Sequence, residues 1–377
     1  MKKLDFDLLK SNINNAADYD FANNKIFGSA YYVYRNGKSF TECFGTMSEE
    51  LSAPITDKTV FRLASMTKPI TATGVMILVD KGLLSLSDPV SKYIKAFDKL
   101  HVMTLESGKL CDKGESPVKV TVRDLLTHTS GFGCDQQKIN MMTTADKATT
   151  DSLIDYHIRT GLDFVPGTAQ QYSPLAAFNV AAKIIEIVSQ KDYYTFLKEE
   201  IFDPCGMVDT CFIPNGEQWN RLVPMHNRQD GKSVVAVMRE NCVFGDYPVT
   251  HFLGGAGLIS TLSDYKEFAH MLLNKGCTHG KRILSDKAFD TLTSPQVSSD
   301  IMPGDTRWAL GMRVIVDESY KYLAPGTFGW SGAYGTHFFV DPKNSVCAVY
   351  MKNSLFDGGA GNESARLFEK AISDSLC

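Results

Sequence analysis

The chain has 377 residues, 44% hydrophobic and 22% charged, with 39 Lys and Arg against 43 Asp and Glu and a formal net charge of −4. At roughly 150 residues per domain this is about two domains, long enough to bury a large core without disulfide staples. The composition excludes wholesale disorder, the charge excludes a polybasic binder of nucleic acid or anionic membrane, and no apolar run approaches the roughly 18 residues of a membrane span.

The first twenty residues place Asp5 and Asp7 where an export signal would be apolar, so they read as an amphipathic helix and the chain as cytoplasmic. Two β-rich runs follow, 25–34 and 39–45, flanking Arg35-Asn36-Gly37-Lys38, and Asn-Gly is the strongest short hairpin signal. Residues 59–63 form another extended run, and 66–79 read as a helix with Ile70, Val75, Leu78 and Val79 buried and Gly82 as its cap. From 83 to 211 the patterns are mostly helical, at 121–127, 151–159, 174–189 and 193–201. From about Leu222 strands return. A helix over 263–274 opens on Ser263 and Asp264; 308–316, 335–340 and 345–350 read as three antiparallel strands, and 363–373 as a closing helix.

This order predicts an α/β (α+β) fold. An antiparallel sheet, flanked by helices, would be built from residues 1–82 and 222–377, with a mostly helical domain, 83–221, inserted and a small-molecule cleft at the junction.

The chemistry must come from nucleophiles. The nine cysteines contain no C-x-x-C and read as buried thiols, and the eight histidines show no metal-ligand spacing, so neither metal nor cofactor is implied. G-x-S-x-G, the G-x-x-x-x-G-K-[ST] phosphate loop and H-E-x-x-H are absent. Ser-x-x-Lys occurs at Ser65-Lys68, Ser116-Lys119 and Ser263-Lys266. Ser116 lies in a polar loop and Ser263 reads as a helix cap. Ser65 stands where a strand feeds the first turn of an apolar helix, which projects its hydroxyl and the Lys68 amine from one face. A serine is a poor nucleophile until a base takes its proton, and lysine is such a base only with a lowered pKa. The bland alternative is a capping serine beside a surface lysine.

Two further segments point to the same cleft. Tyr172, in Gln171-Tyr172-Ser173-Pro174, opens the long middle helix, where a nearby cation would lower its pKa toward that of a working base. Residues 326–335 are glycine-rich as the chain enters its last strands; Gly332 would let a substrate approach closely and the Ala333 amide would serve an oxyanion.

Together Phe61-Arg-Leu-Ala-Ser-Met-Thr-Lys68, Leu125-Leu-Thr-His-Thr-Ser-Gly131, Tyr172-Ser173, Gly254-Gly-Ala-Gly-Leu258 and Trp330-Ser331-Gly332 resemble the serine β-lactamase and penicillin-binding-protein superfamily. The likeness is strongest to the class C branch and family VIII carboxylesterases. The resemblance implies Ser65 as the acylated nucleophile, Lys68 as its base partner and Tyr172 as the rest of the proton relay. The amides of Ser65 and Ala333 would form the oxyanion hole, with Trp330, Ser331 and Gly332 at the substrate.

Two departures stand out. Pro174 replaces the asparagine of the branch's Tyr-x-Asn, and Trp330 replaces the lysine of its Lys-Thr-Gly, which would help hold a β-lactam carboxylate. They rank ester hydrolysis above β-lactam hydrolysis. The expected substrate is therefore a small-molecule ester, with an amide, a lactam or acyl transfer as variants. An inactive scaffold of the same fold is the alternative of another class, nucleic acid is excluded as a partner, and the sequence carries no signal for oligomeric state.

Overall fold

The structure, a computed structural model, describes residues 3–236 and 251–377, and the backbone of the short strands Cys242–Phe244 and Tyr247–Pro248 between them. Helix α1 (Phe6–Ala22) is capped by Asp5, whose carboxylate accepts from the amides of Asp7 and Leu8. Strands β1 (Gly28–Arg35) and β2 (Lys38–Gly45) pair antiparallel. The expected Asn36-Gly37 turn joins them with φ of +48° and +84°, the left-handed pair that a two-residue hairpin needs.

Strand β3 (Val60–Arg62) leads through a 3-10 turn, Ala64–Met66, into α2 (Thr67–Asp80). The next stretch holds β4 (His101–Glu106), β5 (Lys109–Glu115) and the helices α3 (Val122–Leu126), α4 (Thr150–Thr160) and α5 (Ala176–Ser189). The β4–β5 hairpin corrects the helical expectation there: its residues are exposed or half-buried, so no apolar alternation marks them.

Strand β6 (Ile259–Thr261) pairs antiparallel with β3 and runs directly into α6 (Leu262–Leu273). The α6 cap is therefore the last strand residue, Thr261, whose hydroxyl accepts from the Asp264 amide, and not Ser263, whose hydroxyl donates to Asp57. Beyond it lie β7 (Thr306–Trp308), β8 (Arg313–Ile315), β9 (Phe328–Ser331), β10 (His337–Asp341), β11 (Val346–Met351) and α7 (Glu363–Asp374). The stretch 308–316 is thus a hairpin and not one strand. It reverses at Ala309, whose amide donates to the Met312 carbonyl at 2.9 Å, because the turn packs on α2: a Cβ on Gly311 would stand 2.8 Å from the Lys68 carbonyl oxygen.

Seven strands form one antiparallel sheet in the order β7-β8-β9-β10-β11-β1-β2, drawing on both ends of the chain as expected. The two-residue period assigns its faces. Tyr31, Val33, Phe339, Ala348 and Tyr350 pack with residues of α1 and α7, whereas Ala30, Tyr32, Phe338, Val340 and Val349 join the core shared with α2, α5 and α6. Both faces are buried, which fixes the register of β9 and β10 around the turn between them.

Among the described residues no helix is long and apolar enough to cross a membrane. The cysteines are free thiols, apart from Cys242, which lies outside the described side chains.

A Cβ added to Gly37 would meet nothing within 4 Å, so Gly37→Ala tests backbone strain alone. It is expected to cost about 1–2 kcal/mol, read as a lower urea midpoint with an unchanged slope. An unchanged midpoint would contradict the strained turn.

Candidate active site

Ser65 is delivered by a chain under tension. Asn353 clamps the end of β3 from both sides: its Oδ1 accepts from the Arg62 amide at 2.8 Å, and its Nδ2 donates to the Arg62 carbonyl at 3.0 Å. Ala64 then adopts φ +46°, a left-handed conformation that costs an alanine about 1–2 kcal/mol. Ser65 follows half-buried in the 3-10 turn at the start of α2.

One helical turn on, Lys68 is fully buried. Its Nζ stands 3.2 Å from Ser65 Oγ, and it donates to the carbonyls of Pro174 at 2.6 Å and Gly255 at 2.8 Å. Burial pushes its pKa well below the ordinary lysine value, and no carboxylate among the described residues counters that shift. The surface-lysine alternative is excluded. Pro174, which lacks the side-chain amide of its counterpart, contributes its carbonyl instead.

The Tyr172 hydroxyl donates to Ser65 Oγ at 2.8 Å, so the structure brings Ser65, Lys68 and Tyr172 together. The expected lowering of the Tyr172 pKa is not found. Desolvation pushes it up to about 12, with the hydrogen bond to Ser65 working the other way. The ring is closed in by Trp308 at 6.0 Å, Trp330 at 5.6 Å and His128 at 4.5 Å between centroids. The Lys68 amine lies 4.9 Å from the ring centroid and is itself driven toward neutrality.

His128, one of the eight scattered histidines, holds the loop that carries Tyr172. It adopts φ +58°, and its Nδ1 accepts from the Ser173 amide at 3.0 Å, which anchors the loop carrying Tyr172. Burial holds its pKa well below the ordinary histidine value. The Leu125-Leu-Thr-His-Thr-Ser-Gly131 segment marked it. No sequence signal marked Trp308, because its contact with the site depends on the unforeseen turn after β7.

The β9 segment divides by strand alternation. Trp330 is buried against Trp308, with ring centroids 4.6 Å apart, and faces Tyr172; its indole N–H stands near the phenol but outside hydrogen-bond geometry. Ser331 does not join the site, since its Oγ turns to the opposite face, 2.8 Å from His337 Nδ1. Gly332 serves an approach of the protein to itself: a Cβ there would overlap the Leu63 carbonyl oxygen and the Thr336 hydroxyl. That contact brings the exposed Ala333, one residue on, beside the segment leading to Ser65. Among the described residues no cluster of three or more His, Cys, Asp or Glu is arranged to hold a metal.

Residues 13–370 match the Beta-lactamase family. The chain belongs to the beta-lactamase family. This bears out the resemblance to β-lactamases and penicillin-binding proteins, and places the chain among serine hydrolases of that fold. Protein Rv1367c of Mycobacterium tuberculosis (strain ATCC 25618 / H37Rv) is 29% identical over 325 residues, 80% of this chain and 79% of that protein. Esterase EstB of Burkholderia gladioli is 26% identical over 351 residues, 84% of this chain and 83% of the esterase. The structure of EstCE1, a hydrolase with promiscuous acyltransferase activity, superposes with a TM-score of 0.78 at 20% identity over 97% of this chain and 99% of that one. This beta-lactamase-family sheet, with helices on both faces, is the α/β architecture expected.

Gly332→Ala is expected to part Leu63 from β9 and destabilise the protein by about 1–3 kcal/mol, measured by urea unfolding. Wild-type stability in that variant would contradict the close approach.

Proposed function

We propose that this chain is a serine hydrolase that forms an acyl-enzyme on Ser65, acting on small or short-chain esters, with little or no activity on β-lactams. The observation that carries the reading is the placement of Lys68 Nζ and Tyr172 Oη at 3.2 and 2.8 Å from one hydroxyl. The site is taken to be the cleft between the sheet domain, 1–82 and 222–377, and the inserted domain, 83–221.

A neutral amine has two N–H donors and one lone pair. The carbonyls of Pro174 and Gly255 occupy both donors, which leaves the lone pair for the Ser65 proton. Ser65 Oγ, meanwhile, accepts from the Tyr172 phenol. In acylation the Ser65 proton passes to Lys68 as Oγ bonds to the ester carbonyl carbon. The carbonyl electrons move to oxygen, held by the amides of Ser65 and Ala333. Collapse breaks the bond to the alkoxide, which takes a proton from Tyr172, and Lys68 restores the phenol. Water then repeats the sequence and releases the acid. Trp330 and Trp308 give the site aromatic walls where a second lysine would grip a carboxylate, which favours a neutral substrate.

Ser65→Ala is expected to abolish hydrolysis of p-nitrophenyl butyrate; retained turnover would refute the nucleophile. Lys68→Ala and Tyr172→Phe should each lower kcat by about 10²–10⁴-fold. A chromogenic cephalosporin should be cleaved far more slowly than the ester, and the reverse order would refute the neutral-substrate preference. Because Lys68 acts when unprotonated, kcat/KM should rise with pH through its lowered pKa, well below the ordinary lysine value. Tyr172 stays protonated until about pH 12, so no descending limb is expected from it below that. A bell falling near pH 9 would contradict this assignment.

A further inference from the structure

Ser331 and its cross-strand partner His337 are the last pair of β9 and β10 before the turn that carries Ala333. Behind that pair runs a buried polar chain. Ser331 Oγ lies 2.8 Å from His337 Nδ1, His337 Nε2 faces a carboxylate oxygen of Glu369 on α7 at 3.2 Å, and the Tyr320 hydroxyl donates to the same carboxylate at 3.0 Å. With the serine hydroxyl donating to Nδ1, the imidazole proton sits on Nε2 toward Glu369, off the line of an ideal hydrogen bond. Ser331, His337 and Glu369 are 4%, 5% and 3% exposed. A carboxylate buried to that extent costs several kcal/mol unless it is partnered, and its partners here are the Tyr320 hydroxyl and the facing His337 ring.

Serine, histidine and glutamate in a row have the composition of a nucleophilic triad. The space beside them rules that role out. The cavity they share with Arg313 and Trp330 is about 20 Å³, enough for one water and no substrate. What the chain does hold is the base of a turn. Residues 332–336 are tied across the turn by the Gly332 amide, which donates to the Thr336 carbonyl at 2.7 Å, and to the segment before Ser65 by the Thr336 hydroxyl, which donates to the Leu63 carbonyl at 3.0 Å. The Ser331–His337 contact closes the open end, and Glu369 anchors it to a helix on the far side of the sheet.

We propose that His337 and Glu369 are positioning residues for the oxyanion turn: through Ser331 they lock the base of residues 332–336 to α7 and hold the Ala333 amide where the acyl oxygen becomes negative. The inference rests on the assignment of Ser65 and Ala333 under the proposed function. Its mechanism is geometric. An oxyanion donor works only within hydrogen-bond reach of the position the charged oxygen will take, and a shift of the order of an ångström forfeits most of its effect.

The test compares wild type with H337N, E369Q and the milder Y320F, on p-nitrophenyl butyrate and with phenylboronic acid. The boronate adds to a serine as a tetrahedral anion and so loads the oxyanion hole without turnover. The expected result for H337N and E369Q is a fall in kcat of about 10–100-fold with KM within about twofold, and a parallel loss of boronate affinity. Y320F should move both in the same direction by less. Folded variants, with wild-type urea midpoints, whose kcat and boronate affinity stay within twofold of wild type would overturn the proposal while leaving the Ser65 reading intact. Turnover surviving in Ser65→Ala would remove that reading, and the proposal with it.

Discussion

The site depends on keeping one amine out of water. Lys68 is fully buried, and the elements around it are shaped to its needs. Gly255, whose carbonyl it meets, belongs to a loop pressed on the start of α5: a Cβ on Gly254 would overlap the Phe178 carbonyl oxygen, and one on Gly255 would stand 2.9 Å from that of Pro174. The Thr71 hydroxyl, one turn along α2, donates to the Gly254 carbonyl at 2.6 Å and holds the loop in place. A protonated amine in this pocket would bear a desolvation penalty of several kcal/mol, and each pKa unit it gives up relieves about 1.4 kcal/mol. Burial therefore works against the proton, and a neutral amine is the one a serine nucleophile requires.

The same economy explains where the backbone is strained. Two segments converge on the N-terminal end of α2 with no room for a Cβ, Gly311 against the Lys68 carbonyl and Gly332 against that of Leu63, and Ala64 is left-handed next to Ser65. An alanine at φ +46° persists only where its neighbours over-determine it. Here the Asn353 clamp on Arg62, the Leu63 amide bonded to the Leu258 carbonyl, and the Thr336 hydroxyl bonded to the Leu63 carbonyl do so. Strain and close packing are two sides of one requirement, that Ser65 Oγ be presented in a single position.

What could be read from the sequence follows from how local each cause is. The Asn36-Gly37 hairpin, α1, α2, α7 and the strands β1, β2, β10 and β11 obey periodicities spanning a few residues, and the turn residues announce themselves. Ser65 and Lys68 lie one helical turn apart, and the strand-to-helix setting distinguished this pair from two other Ser-x-x-Lys matches; the resemblance across several segments decided for it and joined Tyr172 to it. The failures are non-local. The cap of α6 is Thr261 because strand β6 runs into the helix without a loop. The reversal after Trp308 is imposed by α2, which lies far away in sequence. Ser331 was placed at the substrate with Trp330 and Gly332 through the resemblance, yet one step along a strand turns a side chain to the other face. The Tyr172 pKa was misjudged in sign because the sequence does not show the desolvation that raises it.

Trp330 ties these last points together. Where the class C pattern that the sequence resembles has a lysine, this chain places an indole, buried and edge-on to Trp308. A second ammonium there would favour a phenolate at Tyr172 and depress its pKa; removing it leaves Tyr172 facing rings, and burial carries the value to about 12. The Arg313 guanidinium lies 5.8 Å from the Trp330 ring and lines the cavity behind the sheet with Ser331 and Glu369. One substitution therefore has two linked consequences under the proposed mechanism. It offers no grip to an anionic substrate, and it leaves the base function to the amine. Tyr172 is left to carry the proton to the leaving group, a task for which a neutral hydroxyl already bonded to Ser65 Oγ is suited. Substrate charge and proton routing are then set by the same residue.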